Sequence, residues 1–460
     1  MKKKFKMIDA ILLVICVVFV AEAAAPVASL GNSQFFWWAF MIICFLLPYG
    51  LISSELGTTY QGDGGLYDWI NRAYPGTRWG GRASWWYYIN FPLWMASLAV
   101  MCPDLISIAF GVELPMIVSL AIQLAFVWIC TLIARYPVCD SVIILNICSA
   151  VKVLLALLAG GMGVYFVATH GFVNSMEPST FLPSFDVNSL SYISVIIFNC
   201  LGFEVVCTLS DDMEDPKKQI PQAIIIGGLV IAAIYLFGAF GIGAAIPTDQ
   251  ISTDSGLVDA FMAMTGQTGG PFIAVVALLF MVTLFGNMIS WSMGVNNTAA
   301  YAAENGDMPA VFARRDSKND MPVGSAMVTG YIASVVVILG VVMQLVAPES
   351  SLFWTFFQLN LVMFLLAYLP VFPSFLKLRK AEPDTPRPFR VPGGSVMIKV
   401  LAIVPMILIV LSVIFCAVPM GFDAETLAAT LPVTIGAVIA IAVGEVLVAS
   451  AQKKFKANKS

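Results

Sequence analysis

Three ionisable residues stand inside long apolar runs of this 460-residue chain: Glu22 in VFVAEAAAPVASLG, Lys152 in NICSAVKVLLALLAGG and Glu204 in FNCLGFEVV. A charge at the centre of a membrane helix costs about 2.5–3.5 kcal/mol on insertion scales, so each needs a function or a buried partner. Glu22 is followed by small residues and by Pro26, which lacks a helix donor and clashes with a preceding carbonyl. A helix break between Glu22 and Pro26 is predicted. Glu204 follows Gly202 and Phe203, and the glycine eases unwinding there too. Two carboxylates at two such breaks would suit a solute with a positive group at each end. The alternative for each acid is a structural carboxylate, paired or protonated. Lys152 needs a carboxylate or carbonyls to remain charged. Such an amine can replace a bound sodium ion, carry a proton, or simply tie two helices together. Glu55, Asp140 and Glu445, near span ends, and Asp104, toward the other end of its span, read as interfacial or gating groups.

The elements that must position these residues follow from composition. Hydrophobic residues make up 59% and charged residues 11% of the chain, and the mean hydropathy is +0.89. A soluble domain carries about a quarter charged residues, so that class is excluded, as is disorder. A transmembrane helix needs roughly 20 apolar residues. Apolar runs fall at 8–30, 36–56, 83–108, 115–133, 141–168, 190–209, 220–246, 272–300, 322–346, 350–376, 397–418 and 427–450. The expectation is one all-α polytopic membrane domain over 1–460 with twelve transmembrane helices. No cleavable signal peptide is evident. With both termini cytoplasmic, 23 of the 24 Lys and Arg fall at cytoplasmic ends, as the positive-inside rule requires, and the remaining one is Lys152. The opposite loops carry only acids, among them Glu113, Glu177, Asp254 and Asp259. That is either an acidic vestibule attracting cations or an ordinary solvated surface.

Other chemistries find little support. The single histidine, His170, rules out multi-histidine zinc sites, and there is no Walker A motif and no CxxC pair. No metal, cofactor or nucleic-acid partner is expected; the surroundings are the lipid bilayer.

From Gly202 to Ile224 the chain reads GFEVVCTLSDDMEDPKKQIPQAI, from Trp291 to Pro309 WSMGVNNTAAYAAENGDMP, and from Pro386 to Gly394 PRPFRVPGG. In order and spacing these resemble motifs of the amino acid–polyamine–organocation (APC) transporters, and the resemblance covers essentially the whole chain. It implies a 5+5 inverted repeat, with 8–168 and 190–376 as the two five-helix repeats and 397–450 as helices 11 and 12. It also implies that helices 1 and 6 are interrupted at the substrate. By the same resemblance Glu22, Ala23, Asn90, Gly202, Phe203, Glu204, Trp291 and Asn360 line the substrate site. Trp94, Trp291 and Tyr368 would gate it, and Lys152 would match the helix 5 lysine of sodium-independent, proton-coupled members. The departure is in helix 1, where members taking amino acids usually carry a Gly-Ser-Gly-like run whose bare amides hold the substrate carboxylate. Here Ala21, Glu22, Ala23, Ala24, Ala25 and Pro26 stand instead. An ionised acid there would repel an α-carboxylate, a pattern similar to that of agmatine–putrescine exchangers.

The leading expectation is therefore a secondary transporter of cationic amines in the plasma membrane, acting as exchanger or proton-coupled carrier. The runner-up is an amino acid permease or antiporter, including amino acid–amine exchange such as tyrosine for tyramine. A transport-derived sensor lacks a signalling domain, and an intramembrane enzyme lacks a nucleophile–base–acid set.

Overall fold

The computed structural model describes residues 7–459 apart from 61, 63, 137–141, 184, 186, 204–212 and 347–350. The described elements are helical throughout. Ten segments are long and apolar enough to cross a membrane: Ser33–Thr59, Trp79–Phe110, Met116–Ile133, Asn146–His170, Pro216–Ala245, Pro271–Glu304, Val323–Leu345, Leu352–Ala381, Ser395–Ala417 and Thr426–Asn458. Two of the twelve expected spans, 8–30 and 190–209, have no unbroken long helix among the described residues. They are the two for which interruptions were predicted.

The first of them divides into α1 (Met7–Val18), a 3₁₀ turn at Ala21–Ala23 and α2 (Ala24–Ala28). Val20 is extended, with φ −126° and ψ 124°, so the α-helical ladder stops before Glu22 rather than at Pro26. The next helices are α3 (Ser33–Met41) and α4 (Leu47–Thr59), joined through a π-helical turn at Ile42–Leu46. Pro48 explains that turn: it has no N–H to give, and its ring would collide with the carbonyl four residues earlier, so the helix widens instead of breaking. A short amphipathic helix, α5 (Leu66–Ala73), leads into the long α6 (Trp79–Phe110), which is followed by α7 (Met116–Ile133) and α8 (Val142–His170).

The second interrupted segment contains α9 (Val187–Phe198), after which Leu201 and Gly202 leave the helix. Then come α10 (Pro216–Ala245), α11 (Gly256–Thr265), α12 (Pro271–Glu304) and α13 (Val323–Val346). The chain finishes with α14 (Leu352–Tyr368), α15 (Val371–Ala381), α16 (Ser395–Ala417) and α17 (Ala424–Lys459).

One continuous core fills the middle of the bundle. Helix α6 packs along α14 and α12, α10 packs along α8 and α1, and the 3₁₀ turn bearing Glu22 lies against α8 and α12. Close approach of α8 and α10 depends on small residues: a Cβ on Gly241 would meet the Ala159 carbonyl oxygen at 2.2 Å. The loop ends also differ in chemistry. One end gathers the Lys- and Arg-bearing loops, tied by Arg72–Glu382, Arg82–Glu445, Arg315–Glu304 and Glu55 with Arg379 and Arg387. The other holds Asn32 and Asn174, which bridge the start of α3, the α8–α9 loop and the end of α10.

Candidate functional site

A helix that stops inside a membrane strands backbone groups, and each one left unmet in a buried place costs about 1–3 kcal/mol. At the α1 break both sides are met by side chains from other helices. The Nε1–H of Trp291, on α12, donates to the Val17 carbonyl at 2.7 Å. The Val20 N–H donates to the Tyr235 hydroxyl, on α10, at 2.8 Å. The break is thus built in by partners more than 200 residues away.

Glu22 lies on the turn that this break creates, and it is only 1% exposed. Its Oε1 accepts from the Trp94 indole N–H at 3.2 Å, and the Asn287 side-chain amide donates to Oε1 and Oε2 at 2.9 and 2.8 Å. Both donors are neutral, so they orient the carboxylate without cancelling its charge. Lys152, fully buried on α8, lies within electrostatic range of it. The Asn287 Oδ1 is itself buried and has no hydrogen-bond partner among the described residues.

Aromatic rings enclose this carboxylate. Trp94 stands edge-on to Trp291 with centroids 5.7 Å apart and edge-on to Phe198 at 5.6 Å, while Phe364 meets Trp291 at 5.6 Å. Phe364 continues, toward the cation-rich end, into Tyr368 at 4.9 Å, and Tyr368 into Tyr49 at 5.8 Å. Trp291 also closes on the second interrupted segment. Gly202 has φ +97°, and a Cβ there would lie 2.8 Å from the indole ring. Both indoles are buried, Trp94 at 1% and Trp291 at 4% exposure.

The structure therefore brings Glu22, Trp94, Trp291 and Gly202 together. Ala23, fully buried, ends the 3₁₀ turn directly after Glu22 and caps α2. Phe203 packs beside Tyr49 at 6.4 Å, and Tyr368 lies in the aromatic column. Asn90 turns back on its own helix and donates to the Tyr87 carbonyl. Asn360 is buried on α14, and neither of its amide atoms has a hydrogen-bond partner among the described residues. Glu204 and Asp140 lie outside the described residues. Glu55 and Glu445 pair with arginines at the cation-rich end, and Asp104 is exposed.

Sequence reasoning did not single out Asn287, Tyr235 or Asn199. Asn287 carried a signal, since it falls one helical turn before Trp291 and shares its face. Asn199, three residues before Gly202, is buried, and neither of its amide atoms has a hydrogen-bond partner among the described residues.

Helix breaks stabilised in place, a buried carboxylate at one of them and an aromatic enclosure are the parts of a carrier that closes around a small solute at mid-membrane. Residues 5–443 match the amino acid permease family, and the chain belongs to it: it is a multi-pass membrane transport protein. Among its relatives is a Lactococcus lactis protein named "Probable agmatine/putrescine antiporter AguD", 59% identical over 97% of this chain and 95% of its own length. The putrescine transporter PotE of Haemophilus influenzae is 28% identical over 48% of each chain. A glutamate/gamma-aminobutyrate antiporter of Lactococcus lactis is 24% identical over 82% of this chain and 76% of its own.

Proposed function

We propose that this chain moves cationic amines of the putrescine and agmatine class across the plasma membrane by alternating access, as an exchanger or proton-coupled carrier. The observation that carries the reading is Glu22, a carboxylate buried at a helix break whose side-chain hydrogen-bond donors among the described residues, Trp94 and Asn287, are neutral. An ionised acid there attracts a solute ammonium or guanidinium and repels an α-carboxylate. The turn around it also keeps few amides to offer an anion: the Ala23 N–H bonds to the Val20 carbonyl and the Ala24 N–H to the Ala21 carbonyl. Family membership alone does not select the solute, since relatives include a glutamate/gamma-aminobutyrate antiporter. The 59% identity to a protein named for agmatine and putrescine agrees with the Glu22 chemistry.

In this reading α1 with α2, and α9 with the chain after it, are the interrupted first and sixth of twelve helices in a 5+5 inverted repeat. Both termini lie in the cytoplasm, on the side of the cation-rich loops. Glu22 takes one positive end of the solute and Glu204 the other. Trp291 and Trp94 cover the methylene chain by apolar and cation–π contact, Asn360 adds a polar contact, Tyr368 closes the inner side, and Lys152 couples or replaces a cation.

Uptake of labelled putrescine into proteoliposomes tests this. Acceleration by internal putrescine or agmatine establishes exchange; uptake driven by a pH gradient into empty vesicles establishes proton coupling. If no amine moves under either condition while an amino acid does, the amine reading fails.

A further inference from the structure

Asn287 uses one half of its side-chain amide and leaves the other half free. Its Nδ2 donates to both oxygens of Glu22, at 2.9 and 2.8 Å. That orientation is fixed by chemistry, because a carbonyl oxygen facing an ionised carboxylate would be repelled. The Oδ1 is consequently turned away from Glu22, and it is buried and meets no hydrogen-bond donor among the described residues. Glu22, for its part, accepts only from Asn287 and Trp94 among the side-chain hydrogen bonds described. An ionised carboxylate has about four lone-pair directions, so it retains room for a guest. The two acceptors are linked through a single rigid amide, which sets them a few ångströms apart.

We infer that the Asn287 Oδ1 is a second acceptor for the solute's cationic end, so that Glu22 and Asn287 together select a nitrogen carrying several N–H groups over one whose hydrogens are replaced by methyls. This rests on the amine reading of the Glu22 site and adds a residue and a selection rule to it. A primary ammonium has three N–H bonds and can serve the carboxylate and the amide carbonyl at once. A dimethylammonium has one, which the carboxylate takes. Asn287 is thus both a positioning residue for Glu22 and a substrate contact, and only the second role depends on how many hydrogens the solute nitrogen carries.

The test is putrescine–putrescine exchange in proteoliposomes, with competition by putrescine and by N,N,N′,N′-tetramethylputrescine, which is dimethylated at both ends and so offers Glu22 one N–H in either orientation, for the wild-type chain, Asn287→Leu and Asn287→Ser. Both substitutions withdraw the carbonyl, and the serine variant is the milder one. The wild type is expected to prefer the unmethylated diamine, and each variant to narrow that preference by roughly tenfold, the worth of a hydrogen bond from a charged donor. A uniform rise in the half-inhibiting concentrations of both amines, with their ratio unchanged, would reduce Asn287 to a support for Glu22 and overturn the inference alone. A wild-type chain that moves no amine would overturn the amine reading together with it.

Discussion

Trp291 serves two surfaces at once. Its indole N–H is spent on the Val17 carbonyl at 2.7 Å, and its ring closes on Gly202 and on Trp94. Replacement by phenylalanine keeps an aromatic face but leaves the Val17 carbonyl without its donor. Trp291→Phe is therefore expected to destabilise the chain by about 1–3 kcal/mol. It should show as a lower thermal midpoint in detergent together with a raised KM for putrescine. A lower midpoint with unchanged KM would confine Trp291 to a structural role. This tryptophan stood out in the sequence because it opens a recognisable motif. Its bond to Val17 was not, since the two are 274 residues apart and only the packing of α12 against α1 sets the match. Asn287 was hidden for the same reason: a polar residue in an apolar helix announces a partner without saying which.

At the scale of elements, the broken helices are the part that the fold invests in most. Tyr235 and Trp291 cap the two faces of the first break. Gly202 keeps the second open with a φ of +97°, which side chains rarely adopt. Gly202→Ala would place a methyl 2.8 Å from the Trp291 ring in a backbone region costing about 1–3 kcal/mol. Expected results are a lower yield of folded protein and a loss of exchange exceeding that from Trp291→Phe; wild-type exchange in this variant would show that the turn tolerates a side chain. Hydropathy located both segments but read each as a continuous span, because it counts apolar residues and is blind to where backbone hydrogen bonds stop. Pro26 and Gly202 marked the neighbourhoods. In the first, the ladder ends earlier than Pro26, at Val18, where no residue type announces it.

Over the whole molecule, ion pairs gather at one end of the bundle. Glu55, on α4, pairs with Arg379 and Arg387 and accepts the Val391 N–H at 2.7 Å, all largely buried. Glu382 accepts two bonds from Arg72, at 2.9 and 3.2 Å, and one from Tyr60 at 3.1 Å. The Arg72 guanidinium, with the Tyr60 hydroxyl, holds the Glu382 carboxyl below its usual range. A carboxyl with a lowered folded pKa contributes stability that is present above its unfolded pKa and lost as pH falls through the folded one. Arg72 is 54% exposed, so the pair is worth no more than about 1 kcal/mol. Glu382→Gln should lower the thermal midpoint slightly at pH 7, and the gap to the wild type should close in acid. A gap that persists or widens there would contradict the assignment. The positive residues at this end were visible in the sequence as a topological pattern; which acid each one meets was not.

Solute choice turns on the charge at Glu22, and one comparison reaches it directly: putrescine exchange by wild-type and Glu22→Gln proteoliposomes, measured side by side with amino-acid uptake. The glutamine is isosteric and its carbonyl, at the Oε1 position, can still accept from Trp94 and Asn287, with only the second Asn287 bond lost, so the site should fold while its charge is gone. The expected result is a fall of roughly 10–100-fold in apparent putrescine affinity, the worth of a charge-assisted hydrogen bond, with no gain in folding defects. Putrescine exchange by Glu22→Gln at the wild-type rate and affinity would show that the Glu22 charge does not select the solute, and amino-acid uptake retained in both proteins would put an amino acid in the amine's place.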